Sequence, residues 1–152
     1  MGAFKISLKN LDRSIADLVG KADHRRSAIW ALDCAEHVLP YFENEYPEDD
    51  RPRLAIEAGR MWVKTNVFKM SDIRKASLAA HAAARDAKED DAPRSAARAA
   101  GQAVASAHVA THAVGAALYA LKAVHDGNDP DAGAVAKERE WQYSRLLRIL
   151  SK

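Results

Sequence analysis

His108 and His112 stand four residues apart, the spacing at which a single helix offers two imidazoles on one face to a metal ion. A zinc or di-iron centre needs a further carboxylate or cysteine from a second helix. The sequence carries neither a Glu-x-x-His pair nor a His-Glu-x-x-His motif to supply it. The simpler expectation is two histidines hydrogen-bonded inside the protein, with no metal and no other cofactor. A small metal- or ligand-binding helical bundle using His108 and His112 stands as the alternative.

A second group is cationic. His81 and Arg85 share one helical face with Arg74, and Leu78 lies among them. Guanidinium groups on such a face grip an anionic ligand or a partner's carboxylates. The competing expectation is a solvated face on which Arg85 reaches Glu89 at i+4. Cys34 and His37, three residues apart, are neighbours on one helix, but the stripe that holds them is apolar. A thiol in such surroundings keeps its proton and is inert. Asp33 falls between two apolar stripes of the same helix and needs a cationic partner, for which Arg60 is the expected candidate. No glycine-rich phosphate loop, nucleophile elbow or pair of catalytic carboxylates occurs. The chain is therefore expected to have no catalytic residues and not to be an enzyme.

The densest local charge is the acidic run Glu43-Asn44-Glu45-Tyr46-Pro47-Glu48-Asp49-Asp50. Runs of this kind are mostly solvated loops. Around Tyr46 and Pro47, Glu45, Glu48, Asp49 and Asp50 also form a docking edge suited to a basic protein surface.

The elements that must position these groups all have helical period. Residues 1–20 are expected to form an arm and a short helix capped by Asp12 or Ser14, and residues 23–150 a helical bundle. The first secure helix begins at the N-cap candidate Asp23 and runs to about Phe42, with Pro40 bending or ending it. Trp30, Cys34, His37, Val38 and Tyr41 form one apolar stripe, and Ile29, Leu32 and Leu39 a second. A second helix starts near Asp50, the expected cap, with Pro52 in its first turn, and ends near Thr65. A third begins at the cap candidate Ser71 and ends near Lys88. The turn Glu89-Asp90-Asp91-Ala92-Pro93 then places acids at the next helix N-terminus. The fourth helix spans Pro93 to about Val124, roughly thirty residues or on the order of 45 Å. Asp126 to Pro130 is a turn, and a last helix from about Asp131 to Leu150 buries Trp141, Leu146, Leu147, Ile149 and Leu150.

Alanine fills 21 of the 48 positions from Ala76 to Ala123, so these helices can approach closely and pack by dense van der Waals contact. The third and fourth helices are expected to form a tight antiparallel hairpin. No charged residue occurs from Ala99 to Leu121, a length that would span a bilayer. Its content of alanine, Gln102, Ser106, His108, Thr111 and His112 argues instead for a helix covered by protein.

A length of 152 residues suits one domain. Lys+Arg 23 against Asp+Glu 21 leaves a net charge of +2, too little field to draw the chain to nucleic acid or a membrane. With one cysteine no intramolecular disulfide forms, and Met1 to Ser7 lacks the apolar core of a signal peptide, so a cytoplasmic location is expected.

Three segments in this order, Trp30-Ala31-Leu32-Asp33-Cys34-Ala35-Glu36, Asp50-Arg51-Pro52-Arg53-Leu54-Ala55-Ile56-Glu57-Ala58 and Ala80-His81-Ala82-Ala83-Ala84-Arg85, are followed by the alanine runs around Arg98 and His108. Over residues 25–122 the chain resembles the immunity-five-like family, alanine-rich helical immunity proteins linked to bacterial polymorphic toxin systems. The resemblance implies a non-enzymatic protein that binds and neutralises a toxin; it carries no functional residue with it, and the C-terminal helix with Trp141 lies outside it. The expectation is thus an all-α, single-domain bundle of about five helices around a long alanine-rich hairpin, acting as an immunity-type binding protein, monomeric or homodimeric. A structural or oligomerisation module is a further alternative.

Overall fold

A computed structural model describes residues 13–87, 91–129 and 132–152. They form helices α1 (Arg13–Lys21), α2 (His24–Val38), α3 (Pro40–Glu43), α4 (Arg51–Thr65), α5 (Met70–Asp86), α6 (Asp91–Ala105), α7 (His112–Gly127) and α8 (Ala134–Leu150), with no strand among the described residues. The all-helical class stands, with more and shorter helices than the expected five. The expected N-terminal arm, the cap at Asp12, Glu89, Asp90, Pro130 and Asp131 lie outside the described residues.

Local chemistry accounts for some of the helix ends and not for others. Asp23 caps α2, its carboxylate accepting from the Arg26 backbone N–H at 2.8 Å. Pro40 separates α2 from α3 and occupies the first turn of α3, where no N–H is needed. Asn66 closes α4 in the left-handed region at φ 58°, a conformation asparagine tolerates better than most residues. Ser71, however, lies inside α5, and the position before that helix is Lys69, which makes no side-chain cap bond. Asp50 precedes α4 as expected, yet its side chain makes no cap bond either.

The long fourth helix is two helices. It stops at Ala105, turns through residues 106–111, and restarts at His112. Ser106 Oγ donates back to the Ala103 carbonyl at 2.6 Å, and His24 Nε2 donates to the Ser106 carbonyl at 2.6 Å. The second bond ties that carbonyl to the start of α2, outside the helical ladder. A continuous rod of about 45 Å would project beyond partners only 15 to 17 residues long. Folding back lets both alanine-rich halves be covered. The closest pairing is accordingly α6 against α7, followed by α6 against α5; the expected third–fourth hairpin is the second of these.

α2 and α6 form the centre. Trp30, Ala31, Leu32, Cys34, Ala35 and Leu39 are fully buried on α2 and its end, and Ala96, Ala97, Ala99, Ala100 and Val104 on α6. α2 packs against α4, α6, α7 and α8, which buries Trp30, Cys34 and Val38 of the first expected stripe and Leu32 of the second, but His37 is exposed and Ile29 only half-buried. The last helix departs from its expected core. Leu146 is buried, but Leu147 is 42% exposed, and Gln142 and Glu138 are buried in its place. Polar partners permit this exchange: Gln142 Nε2 donates to the Ala117 carbonyl at 3.0 Å, and Trp30 Nε1 donates to the Gln142 carbonyl at 3.0 Å. Among the described residues, no helix is long and apolar enough to cross a membrane.

Candidate interaction surface

The acidic connector lies between α3 and α4 as a short, pinned loop. Its backbone is held by turn bonds from Tyr46 N to Phe42 O and from Asp49 N to Tyr46 O. The ring of Tyr46 packs on Phe42 at 5.2 Å between centroids, and its hydroxyl donates to the Ala87 carbonyl at the end of α5 at 3.4 Å. Arg51 secures the other side. Its guanidinium donates to Asp49 at 2.6 and 2.9 Å and to Asp86 of α5 at 2.8 Å. That bonding holds the Asp49 carboxyl below the usual carboxylate range, the Arg51 hydrogen bond being the main cause, and raises the proton affinity of Arg51 itself.

The four acidic residues are therefore not equivalent. Asp49 is partly buried and occupied by Arg51, and it also accepts from the Arg51 backbone N–H at 3.2 Å, the task expected of Asp50. Glu45, Glu48 and Asp50 are exposed and make no ion pair among the described residues. Together residues 45–51 bound an open depression of about 680 Å³. Glu43, at the start of the run, is committed to Arg53 at 2.7 Å.

The other groups singled out by spacing separate. His108 falls in the turn after α6, exposed and stacked over Phe68 at 6.0 Å. His112 opens α7, and its Nδ1 donates to Gln102 Oε1 at 2.7 Å. They do not share a helix, so the spacing argument for a two-histidine metal face fails, and among the described residues no three His, Cys, Asp or Glu side chains are grouped as metal ligands. Cys34 is buried, and burial, followed by the nearby carboxylates of Glu138 and Asp33, pushes its thiol well above the ordinary value. His37 turns instead toward Glu138, donating from Nδ1 at 2.7 Å, and stacks face to face on Trp141 at 3.8 Å.

Asp33 does meet Arg60, at 2.9 Å, as the charge argument expects. Its second oxygen accepts from Arg145 Nε at 2.9 Å. Sequence reasoning missed Arg145 and Glu138, yet a signal was present: Glu138, Gln142 and Arg145 recur at i, i+4 and i+7 along one face of α8. His81 lies half-buried on α5 against α6, while Arg85 and Arg74 are exposed. Arg74 and Leu78 line a separate shallow cavity of about 590 Å³ with Met70, Ser71 and Lys75.

No curated protein and no solved structure matches the chain. The family described as "Imm-5 like putative immunity protein" matches residues 17–149. That span takes in α8 and Trp141, which the resemblance read from residues 25–122 left outside. With nearly the whole described bundle inside the match, the chain belongs to the Imm-5 like family.

Proposed function

We propose that this chain is a non-enzymatic immunity-type protein that neutralises a partner toxin by direct protein–protein contact, docking through Glu45, Glu48 and Asp50. The observation that carries the site is the contrast within the acidic loop. Asp49 and Glu43 are consumed by arginines of the same chain, whereas Glu45, Glu48 and Asp50 face outward without a counter-charge among the described residues. The loop that presents them is anchored to α5 by Tyr46 and Arg51, so little conformational freedom is lost on docking. Like charges held together in this way raise the encounter rate with a basic surface and do so less at high salt.

The alanine-rich faces of α6 and α7 are used up by folding and are not free to bind. The metal-binding alternative loses its support once His108 and His112 stand on different elements. The test is a Glu45→Lys, Glu48→Lys, Asp50→Asn variant that spares Asp49. Association with the toxin encoded beside this gene, followed by stopped flow at low salt, should slow by at least tenfold while the melting temperature barely moves. An unchanged association rate removes the loop as the docking site, and failure of the unaltered protein to bind that toxin removes the immunity function.

A further inference from the structure

We infer that the seam between α5 and α6 is a second recognition surface of this chain, shaped to receive carboxylate groups of the same protein partner. The inference rests on the reading that the chain binds a protein. It comes from a row of basic side chains that make no ion pair among the described residues.

On α5, His81 and Arg85 are one turn apart. On α6, Arg94, Arg98 and Gly101 follow at i, i+4 and i+7, and so share a face. The register of the two helices is fixed by Ser77 Oγ, which donates to the Gly101 carbonyl at 3.0 Å. The glycine admits the imidazole of His81 directly onto the α6 backbone, since a Cβ at position 101 would lie 2.7 Å from His81 Nε2. His112 approaches the same ring from α7. Burial first, then the neighbouring Arg98, Arg85 and His112, lower the proton affinity of His81.

Some arginines of this chain are answered within it, and others, Arg74, Arg139 and Arg148 among them, make no ion pair among the described residues. Arg51, Arg53, Arg60 and Arg145 each meet a carboxylate at 2.6 to 2.9 Å. Arg85, Arg94 and Arg98 make no ion pair among the described residues. Two nitrogens of the row, His81 Nδ1 and Arg94 Nε, are also shut off from solvent with no hydrogen-bond partner. Those two atoms are closed to a partner as well, but Arg85 is exposed and Arg94 and Arg98 are partly exposed, so their outer nitrogens are open to a carboxylate or phosphate, the anions that match a guanidinium fork.

The neighbourhood decides between those two anions. Tyr46 and Arg51 fasten the acidic loop to Ala87 and Asp86, immediately beside Arg85, so Glu45, Glu48 and Asp50 stand at the same end of the bundle. A continuous polyanion such as nucleic acid or a membrane surface would be repelled there. A folded protein carrying a basic patch next to a few acidic side chains would not.

The test uses the full chain and an octaglutamate peptide at low ionic strength, observed by NMR. The expected result is a shift of the His81 ring signals and of the Arg94 and Arg98 Nε–H signals. Arg85→Gln with Arg98→Gln should weaken binding at least tenfold, whereas Lys64→Gln with Lys69→Gln, in the last turn of α4 and just before α5, should leave it unchanged. Absence of the His81 shift overturns the proposal, as does equal weakening by both pairs, which would signify diffuse attraction. A DNA octamer that shifts the same signals at lower concentration than the peptide overturns the choice of carboxylate. None of these measurements involves a toxin, so the seam can fail while the loop succeeds, and the reverse.

Discussion

The Asp33 carboxylate accepts from Arg145 Nε at 2.9 Å across 112 residues of sequence, while its other oxygen accepts from Arg60 at 2.9 Å. One buried acid thus joins α2 to both α4 and α8. Removing it leaves two guanidinium groups facing each other over an apolar stripe. Losing one partner of a fully buried pair costs about 3–5 kcal/mol. Here both arginines are more than a third exposed, so water screens them and about 2 kcal/mol is expected for Asp33→Ala. Urea unfolding measures it; a loss below about 0.5 kcal/mol, the range of ordinary surface changes, would show that the triad does not tie the helices together.

The Asp33–Arg60 pair was legible in the sequence because an acid between two apolar stripes must find a cation on whichever helix packs there. Asp23 and Pro40 were legible for a similar reason, since each acts on its own neighbours. The reversal at residues 106–111 was not. An alanine-rich run favours helix by local propensity, and only the tertiary bond from His24 to the Ser106 carbonyl, together with burial of both halves, overrides it. The exchange of roles between Asp49 and Asp50 was hidden too, because both suit a helix start and the choice depends on where the Arg51 side chain lies. Arg145 was obscured by reading α8 through its apolar residues alone.

The α6–α7 pair owes its closeness to alanine, and this gives a packing prediction. Ala103 and Ala107 are 1% and 4% exposed, one in α6 and the other in the turn that reverses the chain. Leucine at either position must force the neighbouring helix outward, at a cost of about 1–3 kcal/mol. Unfolding in urea checks each variant separately. If both unfold at the midpoint of the parent protein, this face is not packed as described.

The Cys34 thiol provides a pH-dependent prediction. Burial and the adjacent carboxylates raise its pKa in the folded state, while in the unfolded chain it returns to the ordinary value near 8.5. The folded protein therefore retains a proton that the unfolded chain releases. Stability from this group is full below the ordinary thiol value and is lost as pH rises from there toward the folded value. Cys34→Ala should flatten the fall in stability with alkaline pH, at the cost of a small cavity. Iodoacetamide at pH 8 should label the folded protein far more slowly than the protein in urea; equal rates would mean that the thiol is accessible.

Gly101 and His81 allow the α5–α6 seam to be tested by stability alone. Alanine in place of a mid-helix glycine gains about 1 kcal/mol from propensity, so Gly101→Ala would stabilise an open helix. Here a Cβ would meet three atoms of the His81 ring at 2.7 to 2.9 Å, closer than carbon and nitrogen can approach. Either the imidazole swings out and gives up its packing on α6, or α5 moves and weakens the Ser77–Gly101 bond. Overpacking of this kind costs about 1–3 kcal/mol, which outweighs the propensity gain, and Gly101→Ala is expected to be destabilising by about 1 kcal/mol. The same substitution in a His81→Ala background has no ring to displace and should be neutral or stabilising. The difference between the two backgrounds, read from urea unfolding as a double-mutant cycle, isolates the contact. Equal destabilisation in both would show that the glycine is needed for some other reason and that His81 does not lie on the α6 backbone.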